Sequence, residues 1–578
     1  MKNIFLLLLL HTSIHLLAQT PEFEWVAQLG GVNARDGFAE LVNDITTDRQ
    51  GNVYVTGLFH DTGDFDPGPD IFSLTSFDHS DIFIGKYSPE GELIWATSLG
   101  GAGSDVGIGI AVDRFDNLYI TGRFEGTVDF DPGPDTYDIE GFFDCFVLKL
   151  DSDGNFIWAK AVGGDGNDAG IGITVDESQN VYTTGTFYNT VDFNPGANTF
   201  SLTSNGTKDS FILKLDKEGD FVWVKAIGGT ANEHSAAIVL DNFNNIYTTG
   251  IFNNTVDFDP GAEEFNLTEI GTDDGDQYIL KLNVDGDFIW AISIGGGTIV
   301  SPSGIAIDAI NGHLYTAGSF RSGNIDFDPG PDTSYLYTNW ASDLFISKYD
   351  TDGNYIWAKS IGGDTNFVNV ENMALDRNNN VYITGDFAQT VDFDPGPGVS
   401  SISSMINHDA FIVKLDSDGS YVWAGSFAGA SFDTGHAIFL DDSDNIYSAG
   451  YFQFTTDFDP SEEVYELSAY GTTAVTDAFL HKMCQNCSTT SIENNFSTTS
   501  LKYSIYPNPT NNFLYFDSPN NEDYELALFN ILGEEITILD QNESNGKIQI
   551  QVSLLSAGTY WLKICRKGKV TWEQIKVF

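Results

Sequence analysis

Between residues 20 and 487 the apolar positions come in short runs of about four to six, separated by polar turns at regular intervals. One stretch shows the order. Gly109-Ile110-Ala111-Val112 ends at Asp113, and Asn117-Leu118-Tyr119-Ile120-Thr121-Gly122 follows after a tight polar turn. Thr127-Val128-Asp129-Phe130 comes next, then the breaker Pro132-Gly133, then Asp144-Cys145-Phe146-Val147-Leu148-Lys149. The turn Asp151-Ser152-Asp153-Gly154 leads into Asn155-Phe156-Ile157-Trp158. Runs this short, with no sustained 3.6-residue period, predict strands and an all-β fold. In Ile82-Phe83-Ile84 both strand faces are apolar, as in a sheet sandwiched between neighbouring sheets.

The whole pattern recurs. Trp25, Trp95, Trp158, Trp223, Trp290, Trp357 and Trp423 stand 63 to 70 residues apart. Asp-Phe-Asp-Pro-Gly begins at Asp64, Asp129, Asp257, Asp326 and Asp392, with variants from Asp192 and Asp457. Seven units of about four strands each predict a seven-bladed β-propeller over residues 20–487. The ends predict how the ring closes. Phe23-Glu24-Trp25-Val26 has no Asp-x-Phe strand before it, and Asp477-Ala478-Phe479-Leu480-His481-Lys482 has no Trp strand after it. Pairing these two orphans removes the open edges that a linear array would expose. The unit resembles the SBBP β-propeller repeat. The likeness is carried by Ile110-Ala111-Val112-Asp113, Asn52-Val53-Tyr54-Val55-Thr56-Gly57, residues 409–415 (DAFIVKL) and residues 153–159 (DGNFIWA). It implies a propeller and no particular activity.

Both ends read as addresses. Met1-Lys2-Asn3 precedes the apolar runs Ile4–Leu10 and Ile14–Ala18, which predicts a secretory signal over residues 1–19, cut near Ala18-Gln19. The run is too short and too interrupted for a transmembrane anchor, and no other stretch is long enough to span. A Ser/Thr/Asn-rich linker, residues 488–500, leads to a segment of different composition, residues 501–578. There Tyr506-Pro507-Asn508-Pro509, residues 526–533 (LALFNILG) and residues 555–562 (LSAGTYWL) alternate apolar and polar positions around Gly turns, predicting a small β-sandwich. In that order these words resemble the type A C-terminal sorting domain of the type IX (Por) secretion system of Bacteroidetes. The resemblance implies passage through the outer membrane by the type IX machinery and a secreted or cell-surface protein.

Charge narrows the partners. Acids outnumber bases 83 to 26, giving a net charge of −57, and 59 of the acids are Asp. General electrostatic binding of nucleic acid or an anionic membrane is excluded. More than half of the acids in residues 20–487 occupy repeated positions, so the charge is largely one architectural motif multiplied by seven. That weakens it as evidence for a basic partner.

Three sets of residues are candidates for chemistry. Asp64 and Asp66, Asp129 and Asp131, Asp257 and Asp259, Asp326 and Asp328, and Asp392 and Asp394 place two carboxylates on one strand face. Oxygen ligands this close suit Ca²⁺, the one cofactor the sequence brings into question, and they equally suit turns in which Asp accepts backbone N–H groups. A second acidic position, eight residues before each Asp-turn, holds Glu40, Asp105, Asp168, Glu233 and Asp433, with Val300 and Val368 in the other units. It is expected to cross an end of the ring. Four residues on, Gly109, Gly172, Ala237, Gly304 and Ala437 suit a crowded channel wall, and Asp44 and Asn372 break that rule. Deviations from a repeat mark specific sites, so Arg35, Asp36, Asp44, Asp105, Asp168, Glu233, Glu371, Asn372, Asp433 and His436 are the candidates for a binding site at the channel mouth. Their alternative is a solvated acidic rim. Third, Cys484 and Cys487 have too few companions for zinc and suit a local disulfide in an exported protein.

No metalloprotease helix, nucleophile elbow or phosphate loop is present. No catalytic residue is singled out. The leading expectation is a monomeric extracellular scaffold that binds protein or glycan. A glycan-active hydrolase or lyase is the alternative and requires a non-repeated cluster of His, Arg, Tyr or acid at one mouth. A matrix component without a small ligand is the third reading.

Overall fold

The computed structural model describes residues 20–31, residues 40–485 with short breaks at 272–274, 298, 309, 364–365 and 471–474, and the strands between residues 505 and 577. The predicted signal and linker, with Arg35, Asp36 and Cys487, lie outside the described residues. The chain divides into two compact units, Met1–Asn486 and Cys487–Phe578. Every regular element among the described residues is a β-strand.

One repeat shows how the sequence builds the first unit. Strands Val106–Val112, Leu118–Asp129, Asp138–Leu150 and Phe156–Gly164 pair antiparallel in chain order. The first turn is tight because Asp113 Oδ1 accepts the N–H groups of Phe115 and Asn117, while Oδ2 accepts Asn117 Nδ2. The same turn recurs at Asp48, Asp176, Asp241, Asp308, Asp376 and Asp441. The turn at Gly154 needs φ +82°, and a Cβ there would meet Trp95 of the preceding repeat at 3.2 Å. Glycine is therefore required twice over, by backbone conformation and by close approach.

That contact locks neighbouring repeats. Trp95 Nε1 and Lys86 Nζ both donate to the Ser152 carbonyl, at 3.3 and 2.9 Å. Trp25 Nε1 and Lys482 Nζ grip the Pro89 carbonyl in the same way, each at 3.0 Å. So a residue near the chain start and one near residue 482 hold one atom of the first repeat. Correspondingly, strand Glu22–Leu29 pairs antiparallel with Thr476–Cys484, opposing Ala27 to Leu480. Strand Glu40–Thr47 contacts Val106–Val112 on one side and Thr434–Leu440 on the other.

The Asp-Phe-Asp-Pro-Gly motif is a second stitch. Asp64 exchanges backbone hydrogen bonds with Gly30 at 2.8 and 3.0 Å. Asp192, Asp257, Asp326, Asp392 and Asp457 bridge likewise to Gly163, Gly228, Gly295, Gly362 and Ala428. The central Phe of each motif is fully buried, and Phe65 packs on Phe59 and Phe83 at 5.3 and 4.9 Å. The hydrophobic core thus lies between repeats. One cluster joins Val42, Val53 and Phe59 of the first repeat to Ala437, Tyr447 and Leu480 of the last. The second unit comprises two four-stranded antiparallel sheets.

Candidate ligand-binding cavity

The first strands of all seven repeats line one cavity of about 1100 Å³. Each of these strands carries a β-bulge at the same place, for example between Gly107 and Gly109 or between Val370 and Asn372. A bulge re-aims a side chain. The extra residues are Asn43, Ile108, Ile171, Ala236, Ser303, Glu371 and His436, and only Ile108 and Ile171 are alike. The small residues after the bulge are needed for packing. A Cβ on Gly304 would meet Met373 of the next repeat at 2.4 Å. Asp44 departs from that rule by reaching across: its Oδ2 accepts the N–H of Ile110 in the next repeat at 2.9 Å. Burial pushes its carboxyl up to about 7. Asn372 Oδ1 accepts the N–H of Met373.

Two polar arcs contribute to this cavity, the first through Glu371 and His436, which line it. The first lies on the sixth and seventh repeats. Asn369 Nδ2 donates to Glu371 Oε1 at 2.6 Å and to Asp386 Oδ1 at 3.2 Å, and Asp386 Oδ2 meets His408 Nδ1 at 2.6 Å. His408 stands between the rings of Phe367 and Phe432, at 5.0 and 5.3 Å. His436 packs on Tyr451 at 5.5 Å. Burial, with Asp386 adding to it, pushes Glu371 up to about 7, and burial pushes His436 down to about 4. Glu371 is therefore part-protonated near neutrality, and His436 is neutral there. The second arc, Arg123, Asn167, Tyr188, Lys208 and His234, spans the second to fourth repeats and lines the same cavity.

Four of the expected mouth residues sit elsewhere. Asp105, Asp168, Glu233 and Asp433 are at most 1% exposed and do not line the cavity. They tie backbone instead. Asp105 accepts from Gly101 and Glu125, Asp168 from Gly164 and Tyr188, Glu233 from Gly229, and Asp433 from Gln453. The solvated rim is corrected accordingly: this acidic position turns inward, because the incoming loop has backbone donors to satisfy. Asp44, Glu371, Asn372 and His436 do line the cavity.

The paired Asp residues cap turns. Asp64 Oδ1 accepts the N–H groups of Asp66 and Phe72, and Asp66 Oδ1 that of Gly68. Asp129 and Asp131, Asp257 and Asp259, Asp326 and Asp328, and Asp392 and Asp394 repeat the arrangement. Among the described residues no group of three or more His, Cys, Asp or Glu is placed to hold a metal ion. Cys484 is disulfide-bonded. His481 is buried against Phe23 and Phe427, where desolvation pushes it down to about 3.

Sequence reasoning missed Asp386, His408, Arg123 and Lys208. A signal for two of them was present. The residue between Gly and Phe in the second strand is Leu58, Arg123, Thr186, Ile251, Ser319, Asp386 or Tyr451, a non-repeated position inside a repeated frame.

Family models agree with this architecture. The model described as a beta-propeller repeat, SBBP, matches residues 24–58 and 94–123. The model described as a secretion system C-terminal sorting domain matches residues 504–577. The chain carries SBBP-type propeller repeats and a C-terminal sorting domain. The sorting domain indicates export by the type IX system to the cell surface or beyond. The chain is 23% identical over 506 residues to an uncharacterized WD repeat-containing protein of Acanthamoeba polyphaga mimivirus, covering 74% of this chain and 36% of that protein. A regulatory protein of Caulobacter vibrioides, FlaEY, is 24% identical over 249 residues, covering 41% and 24%. The chain thus spans little more than a third of these relatives' length, or less. Among solved structures, Sqt1 from Chaetomium thermophilum is 11% identical with a TM-score of 0.35, covering 80% of this chain and 99% of that one. A protein of unknown function from Bacteroides caccae is 11% identical with a TM-score of 0.28, covering 60% and 89%. Among the described residues, no helix of the propeller-repeat protein is long and apolar enough to cross a membrane.

Proposed function

We propose that the propeller-repeat protein is a secreted or surface-attached binding scaffold, exported as type IX cargo, that engages an extracellular glycan or protein at one mouth of its cavity. In this reading residues 1–19 are the signal, residues 20–487 a monomeric seven-bladed propeller closed by the N-terminal strand, residues 488–500 the linker, and residues 501–578 a sandwich-like sorting domain. The strand pairing of Ala27 with Leu480 and the shared grip on the Pro89 carbonyl support closure. The observation that carries the function is the pair of polar arcs. Arg123, Asn167, Tyr188, Lys208, His234, Glu371 and His436 line one cavity, and they stand at positions whose residue type differs from repeat to repeat. A glycan array probed with the mature chain tests this. Binding that is lost in an Arg123→Ala/His436→Ala variant of unchanged melting temperature is expected, and binding that this variant retains refutes the site.

A glycan-active enzyme has one observation in its favour, the Asp386–His408 contact beside Glu371. Release of new reducing ends from a bound glycan, abolished by Glu371→Gln, would establish turnover. Binding without release assigns the site to recognition alone.

A further inference from the structure

The arc on the second to fourth repeats has a chemistry of its own. Cations are scarce in this chain, 26 against 83 acids, and several have a visible structural use. Lys86, Lys214, Lys281, Lys348 and Lys482 each donate to a hairpin carbonyl of a neighbouring repeat. Arg114 pairs with Glu177 and Arg377 with Asp444, both at 3.1 Å. Arg123 and Lys208 do neither. No carboxylate among the described residues lies within ion-pair distance of them, despite the large excess of acids. Glu233 lies near Lys208 but is directed to the Gly229 N–H. Arg123 Nη1 reaches only the Asn167 side-chain oxygen, at 3.4 Å, and stands over the Phe143 ring at 5.9 Å.

We propose that Arg123 and Lys208 recognise the anionic groups, carboxylate or sulfate, of an acidic polysaccharide entering the cavity. This rests on the binding-scaffold reading above. Two half-buried cations that no carboxylate meets at ion-pair distance have capacity for an external anion, and a guanidinium offers the bidentate geometry that carboxylate and sulfate accept. Their neighbours select a sugar over an acidic peptide. Tyr188 presents an aromatic ring to the cavity, and Asn167 and His234 add uncharged hydrogen-bonding groups between and beside the cations. Desolvation, with Lys208 adding to it, holds His234 down to about 4, so its imidazole is neutral at physiological pH and able to accept a hydrogen bond from a hydroxyl. A pyranose bearing hydroxyls and one acid group uses all five residues, whereas an acidic peptide uses only the cations. The remaining surface, with its strong negative charge, repels polyanions, so binding is confined to this arc.

The test measures binding of oligogalacturonate, dextran sulfate, neutral dextran and polyglutamate to the mature full chain at two salt concentrations. Expected is binding of at least one acidic glycan, weakened by salt, and lowered by about tenfold or more in Arg123→Ala and in Lys208→Ala. The uronate and sulfate arms identify the acid group. Arg114→Ala, at the far end of the strands, leaves binding unchanged and controls for net charge. Equal binding of neutral dextran, equal binding of polyglutamate, or unaltered binding by the double variant overturns the proposal. A neutral glycan or a protein that binds and is lost on His436→Ala overturns the anion proposal while the scaffold reading stands. Failure of every glycan and protein probe removes both.

Discussion

Replacing Asp433 by Asn should stabilise the propeller at alkaline pH. Asp433 is 1% exposed, its Oδ1 accepts from Gln453 N–H and Thr456 Oγ1, and its Oδ2 is buried without a hydrogen-bond partner. Burial, with Asp409 adding to it, pushes the carboxyl up to about 8. The folded state therefore holds a proton that the unfolded chain releases near pH 4. The sign follows from linkage. A carboxyl raised on folding contributes stability that is fully present below the unfolded pKa and lost as pH rises through the folded one. A shift of about four units at 1.36 kcal/mol each is on the order of 5 kcal/mol, spread between about pH 4 and pH 8. Asn is neutral throughout, keeps the acceptor for Gln453 and offers Asp409 a donor. Val300 and Val368 occupy the same repeat position, so the fold already tolerates loss of this acid. The assay is thermal melting of both proteins from pH 5.5, safely above the pI of about 4.1, to pH 9. Near pH 5.5 the variant should already melt slightly higher, with about two-fifths of its full advantage. At pH 8.5 the variant should melt several degrees higher, with a flatter pH profile. Parallel profiles, or a wild type that gains stability from pH 5.5 to 8.5, would refute the argument.

Other perturbations separate the structural claims. Phe258→Ala empties a fully buried site between repeats and should cost about 3 to 5 kcal/mol, read as a lowered denaturation midpoint. Trp25→Ala removes a packed indole and its hydrogen bond to Pro89. It should lower the midpoint and expose the N-terminal strand to limited proteolysis first; cleavage starting elsewhere speaks against closure through that strand. Because Asp64 and Asp66 already cap backbone N–H groups, melting in excess chelator and in millimolar Ca²⁺ should agree within about a degree; a large Ca²⁺ stabilisation would restore a metal role.

How much of this was legible in the sequence depends on whether a feature repeats. Strand order, the Trp spacing and the Asp-turns could be read because seven copies average away local noise, and each copy obeys the same turn chemistry. The pairing of Glu22–Leu29 with Thr476–Cys484 followed from two orphan strands. The inward turn of Asp105, Asp168, Glu233 and Asp433 was not legible. Acidity normally signals solvent, and only the loop geometry shows that Gly101 or Gly164 needs an acceptor there. The bulges were equally hidden, since one extra residue in a strand leaves no mark on an alternation already broken by Gly107 and Gly109. Without the bulge, Glu371 and His436 could be suspected but not aimed.

The same division explains what the large charge is for. An acid at a repeated position is doing backbone chemistry. Asp113 closes a turn, Asp129 caps another at a junction between repeats, and Asp105 ties a loop. Such groups are spent on donors of their own chain and have little capacity left for a ligand. Several cations follow the same rule, held by carbonyls or paired acids. What remains for recognition is the small set that breaks the repeat: Asp44, Arg123, Tyr188, Lys208, His234, Glu371 and His436, all on one cavity. Selection of a partner therefore rests on these few side chains. The surrounding negative field sets which ligands approach, and the two arcs set which ones stay.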